Sequence, residues 1–272
     1  SSSALEVNAV AVGGTVTPAK ATTSGGRAEI TTPITSHDRE GVAATGQESR
    51  STGYRPAHNV IGMNIIADQA TVESVILEVG DPAAARAFYD AAFGLGDKVR
   101  VRATDAPTTG FRGFVLSLVV SQPSTVDSLV GTAVSAGATT LKPAKKSFWG
   151  YSAVVQAPDG AVWKIATSEK KDTGPATREV DNFVVLLGVD NVKATKQFYV
   201  EHGLTVAKSF GSKYVEFASA PSSITLALYG RRAAAKEAGL SPEGTGSHRL
   251  VFGGTVGSFT DPDGYAWEDV RS

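Results

Sequence analysis

Asp261-Pro262-Asp263-Gly264-Tyr265-Ala266-Trp267-Glu268, close to the end of the 272-residue chain, reads as a tight turn feeding a strand. Pro262 presets φ for a turn, and Asp263-Gly264 are residue types that accept a left-handed backbone. Beyond the turn the side chains alternate, Tyr265 and Trp267 toward one face, Ala266 and Glu268 toward the other. A carboxylate on a strand whose opposite face is aromatic can be aimed into a cavity. The stretch has an echo in Pro158-Asp159-Gly160-Ala161-Val162-Trp163-Lys164, which repeats the turn and the tryptophan but sets Lys164 where the later copy has Glu268.

The echo extends outward in both directions. Residues 72–79 read as a buried strand, apolar on both faces toward the middle. Asp81 can cap the helix that follows, and Pro82 suits its first position. An apolar stripe of Ala85, Phe88, Tyr89 and Ala92 runs along that helix, and Gly94 and Gly96 end it. Further strands are expected at 98–102 and 114–120, a helix at 126–135, and strands around Leu141, at 151–156 and at 162–166. Thr167–Thr177 is a linker by composition. The pattern then restarts: a strand at 182–189, a helix at 191–201 carrying Phe198-Tyr199, strands at 204–210, 214–217 and 224–229, a polar Arg-containing connection from 230 to 247, and a strand at 248–252. Tyr89 and Tyr199 lie 110 residues apart, Trp163 and Trp267 104 apart. Two landmarks at nearly one offset mark an internal repeat of α+β type, its second copy shortened between Phe252 and Asp261.

Composition narrows the function classes. Twenty-six basic and 27 acidic residues nearly cancel, and no basic stripe appears, which argues against nucleic acid as a partner. No apolar run approaches a membrane span of about 20 residues, so no membrane partner is expected and a cytoplasmic location is the default. The absence of cysteine removes structural disulfides, Cys-ligated zinc and Cys nucleophiles. Residues 1–70 are rich in Gly, Ser, Thr and Ala and offer little to bury, as expected of a flexible N-terminal segment. Met63, the single methionine, is read as a candidate native start, with residues 1–62 an upstream extension. The domain expectation is therefore 1–70 flexible, 71–168 a first module and 178–272 a shortened second one. No phosphate-binding loop and no nucleophile elbow occur.

A strand running into Asp81-Pro82, a helix ending in Phe88-Tyr89 (Phe198-Tyr199 in the second copy), a following Gly-Leu, and the terminal Asp261-Pro262-Asp263-Gly264-Tyr265-Ala266-Trp267-Glu268 together resemble the vicinal oxygen chelate superfamily. This superfamily includes glyoxalase I, the bleomycin-resistance proteins and extradiol dioxygenases. The resemblance covers about residues 70–270 and includes Ala136-Gly137-Ala138, Leu141-Lys142-Pro143 and Phe148-Trp149-Gly150-Tyr151-Ser152. It implies tandem glyoxalase-like modules of paired βαβββ units, curling into a cupped sheet around a pocket, and leaves the chemistry open.

Enzymes of the superfamily hold a divalent metal (Fe, Mn, Ni or Zn) with a His or Gln on the first strand, a His on the strand opening the second unit, and a Glu on the last strand. The resemblance places these positions at Ser74 or Val184, His248 and Glu268. Neither Ser74 nor Val184 can replace an imidazole, which leaves His248 and Glu268, so the expectation is no cofactor and a protein that binds a small aromatic or anionic molecule. One alternative is a metal-dependent lyase, isomerase or dioxygenase using His248 and Glu268, with Glu268 as ligand or base. Another is a purely structural second module. Glu268 is alternatively paired with Arg249 or Arg271, or with Lys164 if the two last strands are neighbours. Candidate ligand-binding residues are Trp149 and Tyr151, Arg112, Lys164 and Tyr229; core packing is the competing reading for the aromatics and a solvated or structural role for Lys164. Arg231-Arg232 and Lys145-Lys146 read as solvated surface, and His202 as a helix-end cation. A homodimer is the expected self-association.

Overall fold

The computed structural model describes residues 70–270; the N-terminal calls, including Met63, and Arg271 lie outside them. β1 (Val72–Val79) leads into α1 (Pro82–Ala92), where Asp81 accepts a hydrogen bond from the Ala84 amide at 3.0 Å and Pro82 opens the helix, as the sequence predicts. β2 (Val99–Ala103), β3 (Thr109–Gly110) and β4 (Phe114–Val119) follow. α2 (Pro123–Ser135) begins three residues before the predicted start, because Pro123 sits at its first turn. β5 (Thr139–Ser147), β6 (Gly150–Gln156) and β7 (Val162–Thr167) complete the first half.

The second half runs through β8 (Asn182–Val189), α3 (Val192–Glu201), β9 (Val206–Phe210), β10 (Tyr214–Phe217) and β11 (Thr225–Gly230). The stretch expected to be a polar connection instead contains α4 (Arg231–Ala238) and β12 (Gly244–Thr245). β13 (Leu250–Gly254), β14 (Phe259–Thr260) and β15 (Ala266–Asp269) end the chain. His248 lies in a 3-10 turn before β13, not on the strand as expected.

Eight strands form one sheet in the order β5-β6-β7-β4-β8-β11-β10-β9. It consists of two complete βαβββ units. In the first, β4 pairs parallel with β7, and β6 runs antiparallel to both β7 and β5. In the second, β8 pairs parallel with β11, and β10 runs antiparallel to β11 and β9. Antiparallel pairing of β4 with β8, Ser117 opposite Val184, joins the two.

The other large sheet, β14-β15-β13-β1-β2, holds the same unit twice in reduced form. β1-α1-β2 keeps a parallel pair and its helix. β13-β14-β15 keeps a parallel pair without a helix, as the shortened sequence requires. Antiparallel β1 and β13 join them. Each sheet therefore takes strands from both sides of the predicted linker, and that linker connects two units of a single sheet.

The two landmarks of the repeat lock this arrangement. Trp163 and Trp267 are both buried in the main core, where Trp163 packs on Phe93 and Phe183, and Trp267 on Phe252 and Phe259. Beside each tryptophan a tyrosine hydroxyl donates to a turn aspartate: Tyr89 to Asp159 at 2.5 Å, Tyr199 to Asp261 at 2.6 Å. Asp261, only 5% exposed, also accepts from the amides of Asp263 and Tyr265. Both turns need a residue at positive φ, supplied by Gly160 and Gly264. Asp263 accepts from the Asp190 amide and from the Thr195 hydroxyl, tying the last turn to the start of α3. Among the described residues no helix is long and apolar enough to cross a membrane.

Candidate functional site

Alternation along the eight-stranded sheet sends two different sets of side chains to its two faces. Phe114, Leu116 and Leu118 of β4, Trp163 and Ile165 of β7, and Phe183, Val185 and Leu187 of β8 enter the main core. Val115, Ser117 and Val119, then Lys164 and Ala166, then Val184 and Leu186, face the other way, joined by Tyr214 of β10 and Tyr229 of β11. A charged side chain on this second face is conspicuous because β7 is an interior strand of the sheet. Lys164 is 7% exposed. A buried ammonium without a partner costs several kcal/mol. The partner is Glu237, reaching down from α4.

α4 lies across this face of the sheet. Its buried side is three alanines, Ala234, Ala235 and Ala238. Gly188 of β8 lets the helix approach: a β-carbon there would sit 2.9 Å from Ala234 Cβ and 2.9 Å from the Gly113 carbonyl. Arg231 pins the first turn, donating to the carbonyls of Pro242, Phe111 and Gly244 at 2.9, 2.8 and 2.7 Å, with its guanidinium over the Phe111 ring. Arg231 was expected to be solvated; these bonds make it structural. Lys142 of β5 donates to the Lys236 and Glu237 carbonyls at 2.6 and 3.0 Å, a cation at the helix C-terminus. The cavity left between α4 and the sheet is about 20 Å³, room for about one water molecule.

Tyr214 and Tyr229 meet edge to face at this cavity, centroids 6.0 Å apart. The Tyr214 hydroxyl donates to Glu216 at 2.8 Å, and Lys208 donates to the other oxygen of Glu216 at 2.9 Å. Burial, helped by the Glu216 carboxylate, pushes the Tyr214 phenol far above the usual tyrosine range.

Of the residues singled out from sequence, Lys164 and Tyr229 come together here, and the others go elsewhere. Trp149, 42% exposed, and its neighbour Phe148, 80% exposed, form the outer tip of the β5–β6 hairpin. Tyr151 points its hydroxyl to Asp127 of α2, at 2.9 Å. The sequence places this hairpin at a pocket; its tip is exposed instead, Phe148 and Trp149 packing on each other. Arg112 donates to the Asp159 carbonyl and lies against Gly160. Burial depresses its pKa, and its role is to hold a turn. His202 closes α3, its ring stacked on Phe198.

The five-stranded sheet carries the other candidate. Arg102 of β2 donates to Glu268 of β15 at 2.8 Å and to Glu78 of β1 at 3.1 Å. The hydrogen bond to Glu268 is the main reason the Arg102 guanidinium is held more basic than usual. The expected partners of Glu268, Arg249 and Lys164, are engaged elsewhere: Arg249 with the carbonyls of Glu78 and Ala106, Lys164 with Glu237 in the other sheet. The donor set implied for a metal does not fit. Glu268 is held by a guanidinium, His248 is exposed in its turn, Val184 has no donor, and Ser74 offers one neutral hydroxyl beside Gly253. Among the described residues no group of three His, Cys, Asp or Glu could hold a metal ion.

Sequence reasoning missed Glu237, Tyr214, Ser117 and Arg102. A signal existed for α4, since Arg231-Arg232-Ala233-Ala234-Ala235-Lys236-Glu237-Ala238 is a run of strong helix formers closed by Gly239. Nothing in the sequence indicated that this helix would cross the sheet.

No family model and no curated protein matches the chain. Solved structures that resemble it include a V278E mutant of glyoxalase I from Zea mays, 16% identical over 74% of this chain and 92% of that one, with a TM-score of 0.48. A putative dioxygenase from Bacillus subtilis is 14% identical over 69% of this chain and 71% of its own, TM-score 0.44. A glyoxalase/bleomycin resistance protein/dioxygenase family enzyme from Burkholderia phytofirmans PsJN is 23% identical over 37% of this chain and all of its own, TM-score 0.33.

Proposed function

We propose that this protein binds a small molecule of aromatic or anionic character on the α4-covered face of the eight-stranded sheet, between Lys164 and the Tyr214–Tyr229 pair. The observation that carries the reading is Lys164: a cation on an interior strand, almost fully buried, aimed at a cavity that tyrosines and small apolar side chains line. Glu237 offsets the cost of burying this cation, so the position is built to accept a carboxylate. Flat rings pack well against tyrosine faces and edges. Val184, Leu186, Tyr214, Tyr229 and Glu237 all come from the second half of the chain, which favours a binding role for that half over a purely structural one.

A metal-dependent lyase or dioxygenase at His248 and Glu268 finds no support in the geometry, because Arg102 holds the carboxylate that such a site would use. The test is thermal stabilisation by a panel of aromatic carboxylates. The stabilising members are expected to lose their effect in a Lys164→Met variant; shifts of equal size in that variant would refute the reading.

A further inference from the structure

The Lys164–Glu237 ion pair joins a rigid strand to a lightly held helix. β7 is hydrogen-bonded along both edges, by β4 and by β6, so the backbone at Lys164 is fixed. α4 spans eight residues and meets the sheet through alanine side chains, each of which buries little apolar surface. We infer that the Glu237 carboxylate is a built-in occupant of the binding site, and that the ligand is a monocarboxylate that enters by exchanging places with it. This rests on the reading of the Lys164 cavity as a ligand site.

Three observations support the exchange. The group facing Lys164 is already a carboxylate, so the position as built accepts that chemistry. The cavity of about 20 Å³ holds about one water, so any larger ligand requires part of its cover to move. α4 covers this face of the sheet. Of the paired side chains, Glu237 is the more accessible, 19% against 9%, so it has the path to solvent.

The anchors of α4 also differ at its two ends. Arg231 makes three carbonyl hydrogen bonds and stacks on Phe111, whereas the C-terminal turn is held by the small buried side chains of Ala235 and Ala238, by Leu240 beyond it and by the flexible side chain of Lys142. Gly239, at φ 77°, follows directly and can absorb a backbone change. The helix can therefore lift from its C-terminal end, carrying Glu237 outward while Arg231 stays. A ligand competing with an attached carboxylate faces a local concentration on the order of millimolar, and its apparent affinity falls by the fraction of open molecules.

Isothermal titration of the whole chain with 1-naphthoate, and with the uncharged 1-naphthamide as control, tests the inference. Glu237→Gln is expected to bind 1-naphthoate at least tenfold more tightly than the wild type, with no comparable gain for 1-naphthamide. Lys164→Met is expected to abolish the preference for the carboxylate. Equal affinity of the wild type and Glu237→Gln, with binding lost in Lys164→Met, would overturn the occupant role while leaving Lys164 as the site. Undiminished binding in Lys164→Met would overturn both. Should Glu237→Gln fold poorly, hydrogen exchange in the wild type gives the same answer: saturating 1-naphthoate is expected to accelerate exchange of the α4 amides. Unchanged or slower exchange there contradicts the inference.

Discussion

In the eight-stranded sheet the strand after the first Asp-Gly turn carries Lys164, and a helix from elsewhere in the chain supplies its carboxylate. In the five-stranded sheet the strand after the second Asp-Gly turn carries Glu268, and β2, on the far side of β13 and β1, supplies its guanidinium. Both arrangements neutralise a charge at the same position of a repeated unit, but in different surroundings. Arg102 and Glu268 are each more than 40% accessible in their side chains, so water screens the pair. Lys164 lies under the helix that carries Glu237. The sheet that kept two full units retained an interior where a charge matters. In the sheet with fewer strands and one helix fewer, the equivalent position is a surface ion pair.

The largest effect expected concerns what the two sheets share. Burial holds the phenols of Tyr89, Tyr199 and Tyr265 well above the usual tyrosine range. The folded state therefore keeps protons that the unfolded chain releases near pH 10. The stabilisation is complete below that pH and is lost as pH rises, by about 1.4 kcal/mol per pH unit for each tyrosine. Thermal melts between pH 9 and 12 should show a steep fall, made shallower by Tyr199→Phe; a flat profile would break the lock assigned to these residues.

Next in size is Asp261→Ala, expected to cost about 3 kcal/mol in urea unfolding, because it strands three donors, two of them buried. Asp159→Ala, which removes a less buried acceptor, should cost about half of that. Equal losses would mean that the two locks are equivalent after all.

The charge pairs sharpen the comparison further. Glu237→Gln leaves a buried ammonium unpaired and should cost about 3 kcal/mol. Glu268→Gln should cost less than about 1 kcal/mol. Smallest of all is Trp149→Ala, within about 0.5 kcal/mol and without effect on binding, since the ring sits at an exposed hairpin tip.

Much of the architecture is legible in the sequence because local rules agree. Asp81-Pro82 marks a helix start, glycines mark the stops, and the Tyr and Trp landmarks mark the repeat. Strand partners are not legible that way: nothing in residues 114–119 or 182–189 announces that they pair antiparallel across a predicted linker. Of the candidate site, Lys164 and Tyr229 were visible as a charge and a ring on strands. Glu237 was not, because α4 buries only alanines and so carries no strong apolar stripe. Arg102 finds Glu268 from 166 residues away, a pairing set by the β15-β13-β1-β2 order and not by any local spacing.

The central claim is that the Lys164 face binds and the Glu268 face does not. A crystal structure of Glu237→Gln grown with 1-naphthoate tests it most directly. The account predicts a carboxylate against Lys164 Nζ with the rings beside Tyr229; a ligand seated against Arg102 on the five-stranded sheet would contradict it.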